Sequence, residues 1–322
     1  MRYIGIDVSK ATFVVAYSSD KGGEIRTFNN TTAGIRQFIG TLPKDGSIHC
    51  VMEATGNYSA LLLYMLNVAG ITVSMENPLK VKNFAKALLS TVKTDKSDAR
   101  LITLYGEKMN PRPFKVQGEA ILRLRQKRTV IRQLTKQITA MSNLRGSLAC
   151  LPVPDKGATH TVDETIKFLE KKRDRLQSEL TDLVEVEFSR QLALLTTIKG
   201  IGITLATALI LTTGGFTYFQ NAKQVSRYLG ICPTYEQSGT SVNIRGHINR
   251  NGDAYTRGLL YIAAWPASRF NAQCKETYTR LRQNGKSGKL AMIAVANKLI
   301  RQAFAVVAHD KEYIDGFVSN RP

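Results

Sequence analysis

Apolar and small residues alternate from Tyr3 to Val8, and a second β-rich run covers Thr12 to Tyr17. The turn-rich stretch Ser18 to Gly23 leads into Glu24 to Phe28, so the spacing predicts three strands in a meander. Beyond them the period changes. A helical pattern around Thr32 to Ile39 precedes a strand at Ile48 to Met52, Tyr58 to Ala69 reads as a helix stopped by Gly70, and Ile71 to Met75 as another strand. A further helix starts behind Thr94 as its N-cap and runs to about Tyr105. The chain up to that point is therefore α/β.

The middle of the chain has a different character. Between Ala120 and Cys150 stand seven basic residues, Arg123, Arg125, Lys127, Arg128, Arg132, Lys136 and Arg145, and no acidic one. Ile131, Leu134, Ile138, Met141 and Leu148 recur at heptad-like spacing, which predicts a long basic amphipathic helix. After Leu151-Pro-Val-Pro-Asp155 a second such run carries Ile166, Leu169, Leu176, Leu180 and Leu183, with eight acids between Thr161 and Arg190. Two facing helical arms are the simplest arrangement. Their charge suits either the solvated face of a helical hairpin or an arm for nucleic acid or dimerisation. Unrelieved positive charge on the first arm favours RNA or DNA. From Leu192 onward helical patterns dominate, broken at Gly200, Gly202, Gly214, Gly215 and Gly239. The expected division is 1–110, an α/β domain; 111–190, a helical coiled-coil connection; and 191–322, a mainly α domain. Three antiparallel strands followed by alternating helices and strands is the order of an RNase H-like fold, and periodicity alone also permits other mixed folds.

Composition narrows the partners. Apolar residues are 43% and charged residues 22% of the 322, enough for ordinary cores and unlike a disordered polyelectrolyte. The 45 Lys and Arg against 25 Asp and Glu leave a net charge of +20, which points to a polyanion. The apolar stretches Leu61 to Met75, Ile203 to Thr213 and Leu290 to Ala308 are too short, or interrupted by Asn67, Asn297, Lys298 and Arg301, and no membrane partner is expected. The N-terminus passes from one charge directly into a strand pattern, so a cytoplasmic protein is expected. Cys50, Cys150, Cys232 and Cys274 are too scattered for a zinc site or a disulfide framework and read as reduced thiols.

Candidate chemistry lies in two places. Asp7 ends the first strand, where Ile4-Gly5-Ile6 delivers a carboxylate to the sheet edge, and Glu53 follows Ile48 to Met52 in the same way. Asp95 and Asp98, at i and i+3, share one face at a helix start. Singly, either also suits the helix dipole. Clustered acids repel, and Mg²⁺, which prefers oxygen ligands, is the usual compensation; two such ions bind the attacking and leaving oxygens of a phosphodiester. The second place is Tyr235 to Arg257, which carries Ser238-Gly239, Thr240, Ser241, Arg245, His247, Arg250 and Arg257. It suits a loop that contacts phosphates. It also suits a serine nucleophile, whose phosphoserine link to DNA keeps the bond reactive so that strands rejoin without an external energy source. Arg245, Arg250 and Arg257 then either stabilise charge on the transferring phosphoryl group or clamp the backbone. His247 is a candidate base or another phosphate contact. Lys199-Gly200-Ile-Gly202 is either a phosphate-holding glycine hairpin or a tight structural turn, and Lys286 and Lys289 lie in a basic glycine-bearing loop.

Taken together, Tyr3-Ile-Gly-Ile-Asp7, Met52-Glu53-Ala-Thr-Gly-Asn-Tyr58, Lys93-Thr-Asp95-Lys-Ser-Asp98-Ala-Arg100, Ile198 to Gly202, Gln237-Ser238-Gly239 and Asn284-Gly-Lys-Ser-Gly288 resemble the transposases of insertion sequence family 110, the bridge-RNA-guided DEDD recombinases. They span nearly the whole chain in order. The resemblance implies an N-terminal RuvC-like (RNase H-like) domain, a coiled-coil connection and a C-terminal transposase domain. It implies Mg²⁺ at Asp7, Glu53, Asp95 and Asp98, and Ser238 as nucleophile. It further implies a noncoding RNA that pairs with donor and target DNA, and subunits that assemble as dimers pairing into a tetramer around a composite site. Where relatives commonly carry Ser-Lys-x-Gly, this chain has Asn249-Arg-Asn-Gly252, which keeps a basic residue and the glycine. Thr240 and Ser241 are competing hydroxyls. Besides an RNA-guided transposase, the sequence permits a DNA invertase on the same framework, a junction nuclease that uses the acids alone, or a nucleic-acid-binding protein without catalysis.

Overall fold

Five strands, β1 (Arg2–Val8), β2 (Thr12–Ala16), β3 (Ile25–Asn29), β4 (Ile48–Glu53) and β5 (Thr72–Glu76), form one mixed sheet in the order β3-β2-β1-β4-β5. β1, β2 and β3 are antiparallel neighbours, whereas β4 runs parallel to β1 and β5 parallel to β4. The meander and both later strands therefore stand where the spacing puts them. The computed structural model describes residues 1–18, 23–43, 45–89, 94–114, 118–238, 242–248 and 252–316, with the backbone alone for 234–238 and 242–247. It divides into two compact units, Met1–Val116 and Gln117–Pro322.

In the first unit, α1 (Thr32–Gly40) begins where the Thr31 hydroxyl accepts the Gly34 amide, and it buries Ile35 and Phe38. Those side chains join Phe13, Phe28, Ile6 and Met52 on one side of the sheet, with Leu62 and Leu66 of α2 (Ala60–Val68). A short 3-10 turn, Gly56–Ser59, begins the expected second helix. α3 (Pro78–Ala87) is an element the apolar period does not reveal, because it buries only Val81. Its start signals are nonetheless present: Asn77 caps it and Pro78 occupies the first turn. α4 (Asp95–Met109) opens with a capping box between Thr94 and Ser97 and ends at left-handed Asn110, one turn beyond the expected Tyr105.

The second unit is built on two long helices, α5 (Glu119–Ala149) and α6 (Lys156–Thr196), the arms expected from the heptads. α6 is broken at Phe188 (φ −134°) and continues past Arg190 into the globular part. The distal halves of the pair share a small core of Ile138, Val162 and Ile166. The proximal halves bury Leu124, Ile131, Leu180 and Val184 with α7 (Ile203–Thr213), α9 (Ala254–Phe270) and α11 (Gly288–Ala308) in the unit's main core. α8 (Ala222–Tyr228) and α10 (Ala272–Gln283) complete the helices.

One expectation needs correction. The stretch beginning at Tyr235 is not a loop among helices: β6 (Pro233–Ser238) and β7 (Val242–Ile248) pair as an antiparallel hairpin. Short strands carry a weak pattern, and the polar residues of β7, Asn243, Arg245 and His247, fall among few apolar ones, which obscures its period of two. α11 is long and apolar enough to cross a membrane, with mean hydropathy 1.5, yet half of it is buried. Ala291, Met292, Val295, Leu299, Ile300 and Ala303 face the core, so its apolar composition has a packing cause. All four cysteines are free thiols, Cys50 and Cys274 buried, Cys150 and Cys232 not.

Candidate active site

Asp7 stands one residue past the Ile6–Met52 pair of β1 and β4, which places it in the same row as Glu53. In the next strand Glu53 pairs with Glu76, so three carboxylates align across the carboxyl ends of parallel strands. Asp95 and Asp98 come to the same region from the first turn of α4. The consequence appears at Asp7. Burial, followed by the charges of Asp95, Asp98 and Glu53, pushes its carboxyl up to about 6, against a weaker opposing hydrogen bond from the Val8 backbone. Three of the acids picked out in the sequence therefore act on the fourth, Asp7, across the fold.

Gly5 makes this approach possible. α4 lies so close over β1 that a Cβ at Gly5 would come within 2.3 Å of the Ala99 carbonyl oxygen and 2.6 Å of the Thr103 hydroxyl. The Gly5 amide donates to that hydroxyl at 3.0 Å, and the hydroxyl is within 2.9 Å of the Ala16 carbonyl, to which it donates. Glu76 is a carboxylate that the sequence reading missed. Its signal was available, since Val73-Ser-Met-Glu76 repeats the pattern of a strand ending in an acid. Its carboxylate is nevertheless engaged elsewhere: Lys80 Nζ donates to it at 2.8 Å and the Tyr105 hydroxyl at 3.3 Å.

The donor set suits Mg²⁺, being oxygen throughout, and the charges of Asp95, Asp98 and Glu53, which add to burial in raising the Asp7 carboxyl, are a load that a bound cation would relieve. Among the described residues no three His, Cys, Asp or Glu groups stand close enough together to make a site that could hold a metal ion by themselves. Mg²⁺ does not require one, because it keeps several waters and takes one or two carboxylates plus substrate phosphate oxygens.

The basic helix α5 departs from the picture of unrelieved charge. Arg125 donates to the Leu211 and Thr212 carbonyls at 2.8 and 3.1 Å, satisfying the end of α7. Arg128 donates to the Thr212 hydroxyl at 2.8 Å and reaches Asp253 at 3.5 Å; Arg132 reaches Asp253 at 3.2 Å and lies 5.4 Å from the centre of the Tyr255 ring. Lys127 pairs with Glu179 of α6 at 2.5 Å, Arg123 with Glu119 at 3.1 Å and Arg145 with Asp163 at 3.3 Å. Lys136 is exposed. Arg125, Lys127, Arg128 and Arg132 of the expected nucleic-acid face are therefore turned to contacts within the unit, and the acids they meet, Glu179 and Asp253, lie too far along the chain for the spacing to disclose.

Gly200 has φ +106°, and a Cβ there would lie 2.7 Å from Ala267 Cβ, so close helix packing by itself explains this glycine. Gly202 caps α7 with open space around it, and Lys199 pairs with Asp315 at 2.8 Å. Arg257 donates to the Leu229 carbonyl at 3.2 Å. Lys286 and Lys289 are exposed, the Lys286 carbonyl accepting from Arg282 at 2.8 Å. Ser238 ends β6, its backbone in register with Val242. Its side chain and those of Arg245 and His247 lie outside the described set, as do Gly239, Thr240, Ser241 and Arg250 altogether.

Comparison with known proteins fits this arrangement. The family model DEDD_Tnp_IS110, described as a transposase, matches residues 4–149, and a second, described as transposase of the IS116/IS110/IS902 family, matches residues 192–279. The pilin gene-inverting protein of Moraxella bovis is 29% identical, covering 97% of each chain. A probable family 20 transposase of Pseudomonas aeruginosa is 24% identical over 97% of this chain and 98% of its own. An IS110 insertion-element protein of Streptomyces coelicolor is 27% identical over 42% of this chain and 33% of its own. An α/β unit with converging acids, joined to a basic helical unit matched by transposase models, defines a DNA-rearranging enzyme. The chain belongs to the IS110 family of transposases.

Proposed function

We propose that this protein is an RNA-guided DNA recombinase that cleaves and rejoins donor and target DNA through a serine-linked intermediate, with Mg²⁺ held by Asp7, Glu53, Asp95 and Asp98. The single observation that carries the metal site is the Asp7 carboxyl, raised to about 6 by burial and by the three other acids. The strand order and the acids at strand ends support an RNase H-like reading of the first unit. Mg²⁺ bound there would neutralise charge on the phosphodiester and lower the barrier to its displacement.

The chain's own residues supply the rest. The Ser238 hydroxyl attacks phosphorus, forming an Oγ–P bond as the bond to one deoxyribose oxygen breaks; the serine proton passes to a base and the departing oxygen takes up a proton. Attack by the hydroxyl of the incoming strand reverses the step and frees the serine. Exposed Lys136, Lys286 and Lys289 support contacts to backbone phosphates. Base pairing of the RNA with both DNA partners would carry sequence choice outside the polypeptide.

Sequencing RNA that copurifies with the protein, then assaying recombination of donor and target plasmids with and without it, tests guidance. Asp7→Asn and Ser238→Ala should each abolish recombination. Mixing the two inactive variants should restore activity if subunits of an oligomer complement one another. A second reading has a specific observation behind it: the Moraxella proteins aligned over nearly the whole chain are named for inverting a pilin gene. On that reading the same chemistry flips a segment between fixed inverted sites, and recombination proceeds without added RNA.

A further inference from the structure

The two ends of the β6–β7 hairpin are fastened at one place. On the approach, α8 ends at Tyr228, the chain turns through Gly230 at φ +72°, and the Ile231 amide donates to the Ser226 carbonyl at 3.0 Å. On the exit, Gly252 adopts φ +115° and lies so tightly against the approach that a Cβ there would come within 2.2 Å of the Tyr228 carbonyl oxygen. Arg257, one turn into α9, donates to the neighbouring Leu229 carbonyl at 3.2 Å. Asp253 stands between these two fastenings.

Its carboxylate does three things at once. It caps α9, accepting from the Tyr255 and Thr256 amides at 3.4 Å. It accepts the Thr256 hydroxyl at 2.7 Å, while that hydroxyl contacts Thr212 Oγ1 at 3.0 Å. It also receives Arg128 at 3.5 Å and Arg132 at 3.2 Å from α5, and its side chain is only 14% exposed. An isolated two-stranded hairpin is marginal in water, so order in β6–β7 depends on what holds its base. In a half-buried setting, a charge deprived of its partner is costly, which makes this grip selective for one seating of α5.

We propose that Asp253 is a positioning residue: held by Arg128 and Arg132, it fixes the exit of the β6–β7 hairpin against α5 and thereby sets where the Ser238 end of β6 is presented. A displacement of the arm helix is thus felt at the hairpin. The functional consequence rests on Ser238 being the nucleophile, whereas the mechanical coupling does not.

The experiment compares the full-length protein with Asp253→Asn, which keeps the capping oxygen but removes the charge, and with Arg132→Met. Amide hydrogen exchange is followed in peptides covering Pro233–Ile248, beside the thermal midpoint and the yield of covalent protein–DNA adduct. Exchange in those peptides should quicken about tenfold or more in both single variants, with the double variant no faster than the worse single, because both break one network. Peptides from β1 and β4 should be unchanged. Exchange in the hairpin within about twofold of wild type, with the thermal midpoint lowered, overturns the proposal and leaves Asp253 a structural cap. Exchange that quickens as predicted while the wild-type protein forms no adduct, or forms it through another residue, upholds the coupling and removes Ser238 from the chemistry. For a wild type that does form the adduct, its rate should fall in both variants while DNA affinity stays the same.

Discussion

The Thr103 hydroxyl, in the third turn of α4, accepts the backbone amide of Gly5 in β1 at 3.0 Å. This bond pins the acid-bearing helix to the acid-bearing strand, and it forms only because Gly5 has no side chain. Gly5→Ala should force α4 off the sheet, costing about 1–3 kcal/mol and a lower thermal midpoint for the first unit. Since Asp95 and Asp98 would move with the helix, strand cleavage should fall more steeply than stability. A thermal melt beside a cleavage assay reads both.

Asp7 gives a second prediction, with a definite sign. Its carboxyl is raised from 3.8 to about 6, so below 3.8 it is neutral in both states and costs nothing. As pH rises through about 6 the folded state must hold an unfavourable charge, and stability falls. Without divalent cation, Asp7→Asn should therefore melt higher than wild type at pH 8, and the gap should close towards pH 4. Mg²⁺ at ten times its dissociation constant should add about 1.4 kcal/mol to the wild type. The variant should gain less.

Asp253 behaves in the opposite sense. Burial raises its carboxyl, but the Thr256 hydroxyl and the Arg128 and Arg132 guanidinium groups outweigh burial and hold it below the usual carboxylate range. The stability it contributes is complete above the ordinary carboxylate value and is lost as pH falls through the depressed one. Acid titration of the second unit's melting from pH 5 to 2.5 should show a loss that is smaller in Asp253→Asn.

Two glycines separate packing from phosphate binding. Gly200→Ala meets Ala267 at φ +106° and should lower the second unit's stability by about 1–3 kcal/mol. Gly202→Ala has open space and should melt close to wild type. A loss of DNA affinity in Gly202→Ala at unchanged stability would assign that turn to the phosphate backbone.

The basic residues divide in the same way. Arg125→Met should lower the melting temperature, because two carbonyls at the end of α7 lose their donor, and leave the salt dependence of DNA binding alone. Lys136→Ala and Lys289→Ala should do the reverse, each reducing the slope of log affinity against log salt by about 0.9 if that lysine meets a phosphate. Filter binding at several salt concentrations distinguishes them.

How much of this was legible beforehand follows from the range of each interaction. Strands β1 to β5 and the arms were readable because a period of two or seven is local to each segment. Asp7 and Glu53 were readable because each comes near the end of an otherwise apolar strand. α3 was not, since it buries one residue, and the hairpin was not, since the polar residues of β6 and β7 blur their alternation. The reversal at Arg125, Arg128 and Arg132 was out of reach for a different reason: their partners are Leu211, Thr212 and Asp253, and nothing in a heptad announces a carboxylate more than a hundred residues away. Asp253 did carry a local sign, an N-cap directly after glycine, overshadowed by the arginines around it.

The small core of Ile138, Val162 and Ile166 sits beyond the Asp253 grip, near the tip of the paired helices. Side chains there touch one another and not the main core. Matched heptads removed from or added to both helices in that outer segment should accordingly leave the root's packing intact, which makes it an adjustable boom whose reach is set apart from the fit at its base.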